Sequence, residues 1–460
     1  MGNPVVGAAR RLFRWDYQMD PRIAWLSPMP PAPTGIATYS KAVLEGLDRI
    51  RFAREHHRIQ PVWPIKPSHE GAIPWHTMAV YHLGNNVEFH RDIYRHAIQT
   101  PGLVVLHDLA LDDFVRGLVT GGDPLGHQAR REALANGPRL EGFEDALRNE
   151  PLRLPWAAHV ARRARGIVVH APFCERYLRA FGCRTPVYVA PHPVLERDED
   201  VRRAERRRAV LRAPLQVQGM RTLVGAFGDL NAAKLLDVLC EAVRRLPEDV
   251  HLVLVGRRIE GYDVDAVVRA SGLGGRVTLL PDVSDADFLG WLCAVDVAVD
   301  LRFPHRGEVS GSLARAMQCG RPTVVSATGT YLDVPDEFVL RAPPGRPDPD
   351  AVTAVLRRLI EDEGLRERMG AAARAHTAEQ ARGDRTAHVY SAAIEGTLAL
   401  LRDPGRRALA RWAGALSDLG VTEEHLGRDY GVSYARALDE FEPGAGPVGS
   451  EAPTAGEGPS

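Results

Sequence analysis

The amino-acid sequence predicts an α/β protein built from two parallel, doubly wound sheets in tandem. Short apolar runs of strand length alternate with longer segments of helical periodicity along most of the 460 residues. A densely charged stretch at 196–208 interrupts this alternation. The chain length fits two or three domains of ordinary size. We therefore expect two sheets that face each other across a cleft, with the charged stretch as the junction between them.

The first half of the chain contains five apolar runs, each followed by turn or polar residues. These predicted strands are 22–27, 78–83, 103–106, 166–170 and 187–190. A proline-rich loop that ends at Gly35 separates the first strand from a helix predicted over 36–47. A strand, a glycine-containing loop and a helix in this order are typical of ligand loops in doubly wound folds. A simple turn explains a single glycine equally well. The polar segment 112–165 is predicted to be helical.

His107 and Asp108 come directly after the predicted strand 103–106. Ligands of open parallel sheets bind at the carboxyl ends of the strands, and histidine can donate or accept a proton near neutral pH. We therefore predict a functional site at His107. The alternative is that the two buried side chains only satisfy each other's hydrogen bonds or those of a backbone amide.

The second half of the chain repeats the alternation of strands and helices. The predicted strands are 223–227, 251–255, 277–280, 294–301, 323–326 and 337–341. The predicted helices are one that ends near 245, followed by 285–293, 313–319, 349–361, 365–378 and 384–401. This order predicts a second parallel sheet with right-handed crossover connections.

Gly228 and Lys234 bracket the first strand-to-helix loop of this second half. Exposed backbone amides and a lysine can hold a diphosphate. Lys234 is one of only three lysines among 58 basic residues, and a lysine retained against that bias suggests a need for its compact charge. The spacing is not the Walker pattern, and no GxGxxG follows a strand, which disfavours a dinucleotide site. A turn glycine and a surface lysine are the alternative interpretation.

The stretch Arg302–Pro322 reads as a polar loop and a helix between two buried strands. It contains one acid, Glu308, and then Ser310, Gly311 and Ser312 at the predicted helix start. Because helix N-termini favour anions by themselves, a carboxylate in this loop suggests contact with the hydroxyls of a sugar or a ribose. The alternative is an acid in the first turn that stabilises the helix dipole.

Composition excludes several classes of function. The net charge of −1 gives no electrostatic footprint for nucleic acid, and no apolar run reaches the roughly 20 residues that a membrane span needs. The N-terminus lacks the apolar core of a signal peptide, and the five cysteines are scattered. We expect a reduced cytosolic setting without disulfides, structural zinc or a catalytic metal. The tail 442–460 is rich in Gly, Pro and Ser and is predicted to be disordered.

Five segments in a fixed order resemble the retaining glycosyltransferases of family 4, also called group 1, which have the GT-B fold. They are PPAPTGIATYS, LHDL, AFGDLNAAK, GEVSGSLARAMQCGRPTVVS and LDVPD, within residues 21–400. The resemblance implies an acceptor domain at 21–200, a donor domain at 201–383 and a helix at 384–401 that crosses back to the first domain. An arm at 1–20 and a helical extension at 402–441 complete the predicted organisation.

The resemblance also implies roles for individual residues. His107 would lie beside the transferred sugar, Glu308 would hold sugar hydroxyls, and Lys234 would pair with the donor diphosphate. Further predicted donor-binding residues lie in the loops at strand ends. They are Gly35, Gly228, Pro281, Asp282, Val283, Arg302, Ser310, Gly311 and Ser312.

The sequence departs from the family pattern at several of these positions. Arg315 stands where the second acid of the Glu-x7-Glu signature, which commonly contacts the ribose, is usual, and Glu308 lies one position late. Asp229 stands where an arginine usually precedes the lysine of the phosphate loop. Arg302 or Arg306 could replace that missing positive charge.

The resemblance implies a metal-independent hexosyltransferase that needs no cofactor and uses a nucleotide-diphosphate sugar as donor. The acceptor is a hydroxyl on a lipid, a polysaccharide or a small molecule. Two alternatives stay open: a nucleotide-sugar epimerase of the same shape, and a non-enzymatic GT-B-like binding subunit, which Asp229 and Arg315 favour. The predicted location is the cytoplasm. The arginines of 112–165 and an N-terminal arm with Trp15 leave peripheral contact with the inner membrane face open.

Overall fold

The computed structural model describes residues 22–52, 57–65 and 78–402. They form two six-stranded sheets in which all neighbouring strands are parallel. The strands of the first sheet are β1 Arg22–Leu26, β2 Arg58–Val62, β3 Met78–Leu83, β4 Leu103–Leu106, β5 Gly166–Val169 and β6 Val187–Val189. The strands of the second sheet are β7 Thr222–Phe227, β8 Val250–Gly256, β9 Val277–Pro281, β10 Val297–Asp300, β11 Thr323–Ser326 and β12 Val339–Ala342.

Helices connect the parallel strands and cover the faces of both sheets. In the first half they are α1 Gly35–Arg49, α2 Val87–Gln99, α3 Asp112–Thr120, α4 Pro124–Asn136, α5 Glu144–Arg148, α6 Ala158–Arg163 and α7 Pro172–Ala180. In the second half they are α8 Asp198–Arg206, α9 Arg208–Val217, α10 Leu236–Arg244, α11 Val264–Ala270, α12 Asp285–Ala294, α13 Gly311–Gln318, α14 Pro349–Glu361, α15 Glu363–Arg382 and α16 Arg385–Arg402.

The strand order of each sheet reverses at one point. The first sheet runs β2-β1-β3-β4-β5-β6, and the second runs β12-β11-β10-β7-β8-β9. The crossovers therefore diverge between β1 and β3 and between β10 and β7. Ligands of doubly wound sheets bind at such points, at the carboxyl ends of the strands. The loops that begin after β1, β7 and β10 are the ones that carry Gly35, Lys234 and Glu308.

Every strand predicted from the sequence is present, and one further strand is not predicted. This strand, β2, is an edge strand with the sequence RIQPV, and most of its residues are at least partly exposed. It therefore needs no apolar run, and its Pro61 argues against a strand in any sequence pattern. By contrast, the residues of β3, β4 and β5 are buried throughout, because helices cover both faces of the sheet.

The charged stretch 196–208, predicted to be the junction between the two sheets, is largely helical. Most of it forms α8, which packs against α12 beside the second sheet. Val201 and Ala204 are buried in the same apolar cluster as Leu289. The charged side chains occupy the other side of this helix. Charge density alone therefore does not reveal that the segment is a helix packed beside the second sheet.

The last long helix, α16, packs on the first sheet. Tyr390 is fully buried, with its ring centroid 5.7 Å from that of Trp25 and its Oη 3.0 Å from Tyr39 Oη. Thr386 Oγ1 donates to the carbonyl of Pro191, 3.0 Å away. Just before the helix, Asp384 pairs with Arg49 at 2.6 Å. The chain thus returns to the first sheet, as the resemblance implies.

The predicted domain boundaries remain predictions. The arm 1–20, nearly all of the extension 402–441 and the tail 442–460 lie outside the described residues. Within the described ranges, no helix is long and apolar enough to cross a membrane.

The packing of α16 can be tested at Tyr390. We expect Tyr390→Ala to lower the free energy of unfolding by about 3–5 kcal/mol, because it empties a filled space between Trp25 and Tyr39. The control Tyr390→Phe removes only the Oη hydrogen bond and should cost about 1 kcal/mol. Urea unfolding followed by tryptophan fluorescence measures both. Equal losses for the two variants would contradict the packing role of the ring.

Candidate functional site

His107, at the carboxyl end of β4, lies among the rings of the first sheet. Its Nε2 is 3.0 Å from His82 Nδ1, the two rings stack with centroids 5.2 Å apart, and Tyr39 meets it edge-on at 4.8 Å. Asp108 is not its hydrogen-bond partner, since Asp108 Oδ2 accepts from the backbone amide of Asn85 at 2.9 Å. The two side chains therefore do not satisfy each other, but Asp108 satisfies a backbone amide, as the alternative interpretation allowed.

His107 belongs to a cluster of five histidines that the sequence analysis missed. The others are His82, His90, His170 and His192. Burial lowers the pKa of His90 and His192 to about 4 and that of His170 to about 3, and it holds the pKa values of His82 and His107 well below the ordinary 6.5. The imidazoles are therefore neutral at pH 7. The sequence contained a signal for this cluster, because four of the five histidines lie in or just after the neighbouring strands β3 to β6.

His192 brings this cluster to the second sheet. Its Nδ1 lies 2.9 Å from the carbonyl of Pro193, which can only accept, so Nδ1 carries the proton and Nε2 is an acceptor. A Cβ added at Gly311 would be 3.6 Å from this Nε2. Gly311, a predicted site residue, therefore lies at the start of α13 against a ring from the first half of the chain.

Glu308 lies before α13 and not in its first turn, which contains no acid. The interpretation as a dipole-stabilising acid is therefore wrong, and Ser310 provides the cap by accepting from the amide of Leu313 at 3.2 Å. Glu308 Oε1 is 3.0 Å from Arg302 Nη1, and Oε2 accepts from the amide of Arg306 at 2.7 Å. Burial alone would raise the pKa of Glu308, but His305, Arg302 and the amides hold it at about 2. The side chain is an ionised acceptor.

Lys234 is a buried cation and not a surface helix residue. Its side chain is 6% exposed, and its Nζ donates to Asp300 Oδ1 at 2.5 Å and to the carbonyl of Phe227 at 2.9 Å. Burial lowers the pKa of Lys234, and Asp300 opposes that shift. Burial would raise the pKa of Asp300, but Lys234 and Arg302 hold it at about 2. The two groups form an ion pair at the switch point between β7 and β10.

Gly228 occupies a position that only glycine fits. Its φ is +102°, and an added Cβ would lie 2.6 Å from Ser312 Oγ and 3.6 Å from Lys234 Nζ. Ser312 Oγ donates to the carbonyl of Phe227 at 3.1 Å. The loop after β7 and the start of α13 therefore meet beside Lys234.

The two arginines proposed to replace the missing positive charge are both paired. Arg302 is 17% exposed and contacts Glu308, with Asp300 at 4.0 Å on its other side. Arg306 Nε is 2.9 Å from Asp112 Oδ1, and its Nη2 is 3.1 Å from Asp113. The carboxylates beside them balance their charge.

Asp229 and Arg315, the two departures from the family pattern, also have charged partners. Arg257, just after β8, binds both carboxylate oxygens of Asp229, at 3.1 and 2.9 Å. Arg315 Nε is 2.7 Å from Glu196 Oε1. The sequence analysis did not consider Arg257, since no motif marks it and its partner is 28 residues away.

Gly35 and the segment Pro281–Val283 have fewer contacts with these groups. Gly35 begins α1, where Thr34 Oγ1 caps the amide of Ile36 at 3.3 Å, and the space beside its Cα is open to at least 4 Å. Pro281 ends the edge strand β9, and the amide of Asp282 donates to the carbonyl of Gly256 at 2.9 Å. Among the described residues, no hydrogen bond or ion pair joins this segment to Glu308 or Lys234.

The loop that carries Glu308 contacts the first half of the chain directly. The carbonyl of Arg306 accepts from the amides of Leu109 and Ala110, both at 2.9 Å. The thiol of Cys174 donates to the carbonyl of Gly307 at 3.3 Å. The loop that begins with His107 and the loop that carries Glu308 are therefore in direct contact.

Asp108 is a carboxyl group of this cleft that the sequence analysis left without a role of its own. Burial, and then the charge of Glu308, raise its pKa to about 7. Within the described ranges, no group of three or more His, Cys, Asp or Glu side chains is arranged to hold a metal ion.

Residues 221–362 match the family described as "Glycosyl transferases group 1". A D-inositol 3-phosphate glycosyltransferase of Xylanimonas cellulosilytica is 32% identical over 173 residues, or 36% of this chain and 41% of that protein. A protein of the same description from Mycobacterium sp. is 32% identical over 127 residues, or 26% and 28% of the two chains. The chain thus aligns with less than half of the length of these curated relatives.

Solved structures resemble most of the chain. Sucrose-phosphate synthase of Thermosynechococcus elongatus has a TM-score of 0.56 at 17% identity, over 81% of this chain and 96% of its own. HepE of Anabaena, solved with UDP and glucose, has a TM-score of 0.55 at 17% identity, over 82% and 99%. These likenesses confirm the predicted two-sheet GT-B fold. The family match confirms the predicted resemblance to group 1 glycosyltransferases across the second sheet.

The histidine cluster predicts a pH dependence of stability. The folded-state pKa values lie below 6.5, so the unfolded chain binds more protons between about pH 4 and 6.5. Stability should be fully present above that window and fall as the pH is lowered through it. A histidine with a folded pKa of about 4 loses about 2 kcal/mol between pH 7 and pH 5.

Thermal unfolding of His90→Gln and the wild type at pH 7 and pH 5 tests this dependence. His90→Gln should lose part of the decrease in melting temperature between the two pH values. His127→Gln, at an exposed position on α4, should keep the whole decrease. A His90→Gln protein with the wild-type pH dependence would contradict the neutral, buried state of this ring.

Proposed function

We propose that the protein is a retaining glycosyltransferase that moves a sugar from a nucleotide-diphosphate sugar to a hydroxyl acceptor. The observation that carries the proposal is the loop after β10, which lies within the segment that matches group 1 glycosyltransferases. This loop holds an ionised Glu308 beside Arg302 and bonds to the loop after β4 through the carbonyl of Arg306. The loop thus connects the start of α13, where the donor phosphates would bind, to the loop that begins with His107.

The donor phosphates would bind at the start of α13, beside Lys234. The amides of Gly311 and Ser312 have no partner within the helix, and the N-terminus of a helix favours negative charge. Departure of the nucleoside diphosphate develops negative charge on its phosphates. Fixed amides and a lysine held in place by Asp300 stabilise that charge without reorganisation. The crystal complexes of HepE with UDP and with UDP-glucose support a nucleotide sugar as the donor.

Glu308 would accept hydrogen bonds from hydroxyls of the transferred sugar. With a pKa of about 2 it holds no proton to donate at neutral pH, so it is not a general acid. His107 is neutral and can make one hydrogen bond from the nitrogen that His82 does not use. Retention would then follow if the departing phosphate itself takes the acceptor proton on the same face of the sugar.

The transfer is proposed to be independent of metal and of any cofactor, since Lys234 and the helix amides can supply the stabilising charge. The proposed location is the cytoplasm. The proposal includes contact with the inner membrane face through the arginines of 112–165. The proposed acceptor is a hydroxyl of a lipid, a polysaccharide or a small molecule. If the following experiments contradict the transferase, the alternatives are a nucleotide-sugar epimerase and a non-enzymatic binding subunit.

Thermal stabilisation by UDP, GDP, ADP and their sugars, without added metal, tests the donor site. A native-state ligand raises the melting temperature by mass action. Glu308→Gln should keep stabilisation by the nucleoside diphosphate and lose the additional part due to the sugar. Lys234→Gln combined with Asp300→Asn replaces the buried ion pair with neutral amides, which avoids an unpaired buried charge. This double variant should lose stabilisation by both ligands.

A wild-type protein that none of these nucleotides stabilises would contradict the proposed donor site. The control is Arg116→Gln, on the exposed outer part of α3, which should behave like the wild type.

The stereochemistry of sugar release tests the retaining mechanism. Slow hydrolysis of the donor sugar in the absence of an acceptor should first produce the anomer present in the donor, as observed by proton NMR before mutarotation. The rate should be unchanged by EDTA. Release of the opposite anomer would contradict retention, and loss of activity in EDTA would contradict metal independence.

A further inference from the structure

We propose that Arg257, oriented by Asp229, supplies the second positive charge to the donor diphosphate. The inference rests on the proposed function and names a residue of that site that the sequence motifs do not mark. Arg257 would touch the phosphates. Asp229 would act only as a positioning residue, since its carboxylate repels them.

The backbone fixes Arg257 against the phosphate loop. An added Cβ at Gly256, the last residue of β8, would lie 1.7 Å from the carbonyl oxygen of Gly228, so only glycine permits this contact. Two residues further along the loop, the amide of Leu230 donates to the carbonyl of Arg257 at 2.8 Å. The start of the Arg257 side chain is therefore held beside the loop that ends at Lys234.

The side chain of Arg257 is also oriented before any ligand binds. Its Nε and Nη2 bond to the two oxygens of Asp229, which holds the planar guanidinium in one orientation. Its Nη1 donates to the carbonyl of Pro33, in the loop between β1 and α1. A guanidinium has five N–H donors, and these contacts use three of them. Two donors are left for an anion.

The other cations of the cleft are less available. Lys234 is 6% exposed, and Arg302 is 17% exposed and lies between Glu308 and Asp300. Arg306 faces two carboxylates, those of Asp112 and Asp113. Arg257 is 42% exposed and faces one carboxylate, and its remaining partner is a neutral carbonyl.

A phosphate oxygen can replace the Pro33 carbonyl with a net gain. Both bonds have a charged donor, but a phosphate oxygen is also negatively charged and a phosphate can accept two parallel N–H bonds from a guanidinium, so the exchange favours the diphosphate. The same exchange would release the loop between β1 and α1, whose Gly35 has open space beside it. Binding of the donor would thereby be coupled to the position of that loop.

Calorimetric titration of the full chain with UDP, GDP and ADP, and with the corresponding nucleosides, tests the assignment. Arg257→Gln should bind the preferred nucleoside diphosphate about tenfold or more weakly, which is typical of a lost charge-assisted hydrogen bond. Affinity for the nucleoside alone should be unchanged. The matched control is Arg258→Gln, the next residue, whose guanidinium pairs with Asp265 and should not affect either affinity.

A charge exchange tests the role of Asp229. Arg257→Asp alone should weaken diphosphate binding by more than Arg257→Gln does. Adding Asp229→Arg should restore the affinity to within about threefold of the wild type, because the same ion pair forms with its ends reversed. If the double variant binds the diphosphate as weakly as Arg257→Asp alone, the positioning role of Asp229 is overturned.

The possible results separate this inference from the proposed function. Wild-type affinity for the diphosphate in Arg257→Gln would overturn the inference and leave the proposed function intact. Equal losses for the diphosphate and the nucleoside would also overturn it, since they would reveal a structural role. A wild-type protein that binds none of the three diphosphates would overturn both.

Discussion

The buried ion pair between Lys234 and Asp300 is the interaction on which the second half of the cleft depends. Asp300 is the last residue of β10 and Lys234 ends the loop after β7, so the pair ties together the two strands at which the sheet reverses its order. Tyr331 also donates to Asp300 at 2.8 Å, which fixes the segment that follows β11. Two charges withdrawn from water are costly unless their partners are in place. The geometry of the phosphate loop therefore follows from the packing beneath it.

Among the described residues, polar bonds join the two halves of the chain, and Val309 packs against the apolar cluster of the first half. Asn149 donates to Thr328 at 2.8 Å, Asp145 accepts from the amide of Gly329 at 2.8 Å, and Arg176 pairs with Asp333 at 2.7 Å. Interfaces of this kind between domains permit relative motion. In the proposed reaction such motion would admit the donor and then exclude water when the halves close.

The sequence was sufficient for the fold because strands buried on both faces form continuous apolar runs that a reader can recognise. It missed β2, whose edge position needs no such run. The loops of the candidate site were predictable from the strand ends and from the family resemblance, which led to Lys234 and Glu308. The residues that contact these loops were not predictable from the sequence. Asp300 looks like the end of a strand. The histidine cluster comes from one helix and from the ends of four separate strands. Arg257 meets Asp229 because two glycines let the ends of β7 and β8 approach.

The Asp229–Arg257 ion pair limits how such a site can change through time. Replacing aspartate by arginine at 229 alone would set two guanidinium groups side by side, and replacing arginine by aspartate at 257 alone would set two carboxylates beside a bound anion. Each single step passes through a repelling intermediate. The two positions should therefore be inherited as a unit, so that descendants of this chain carry one polarity or the other and seldom a mixture.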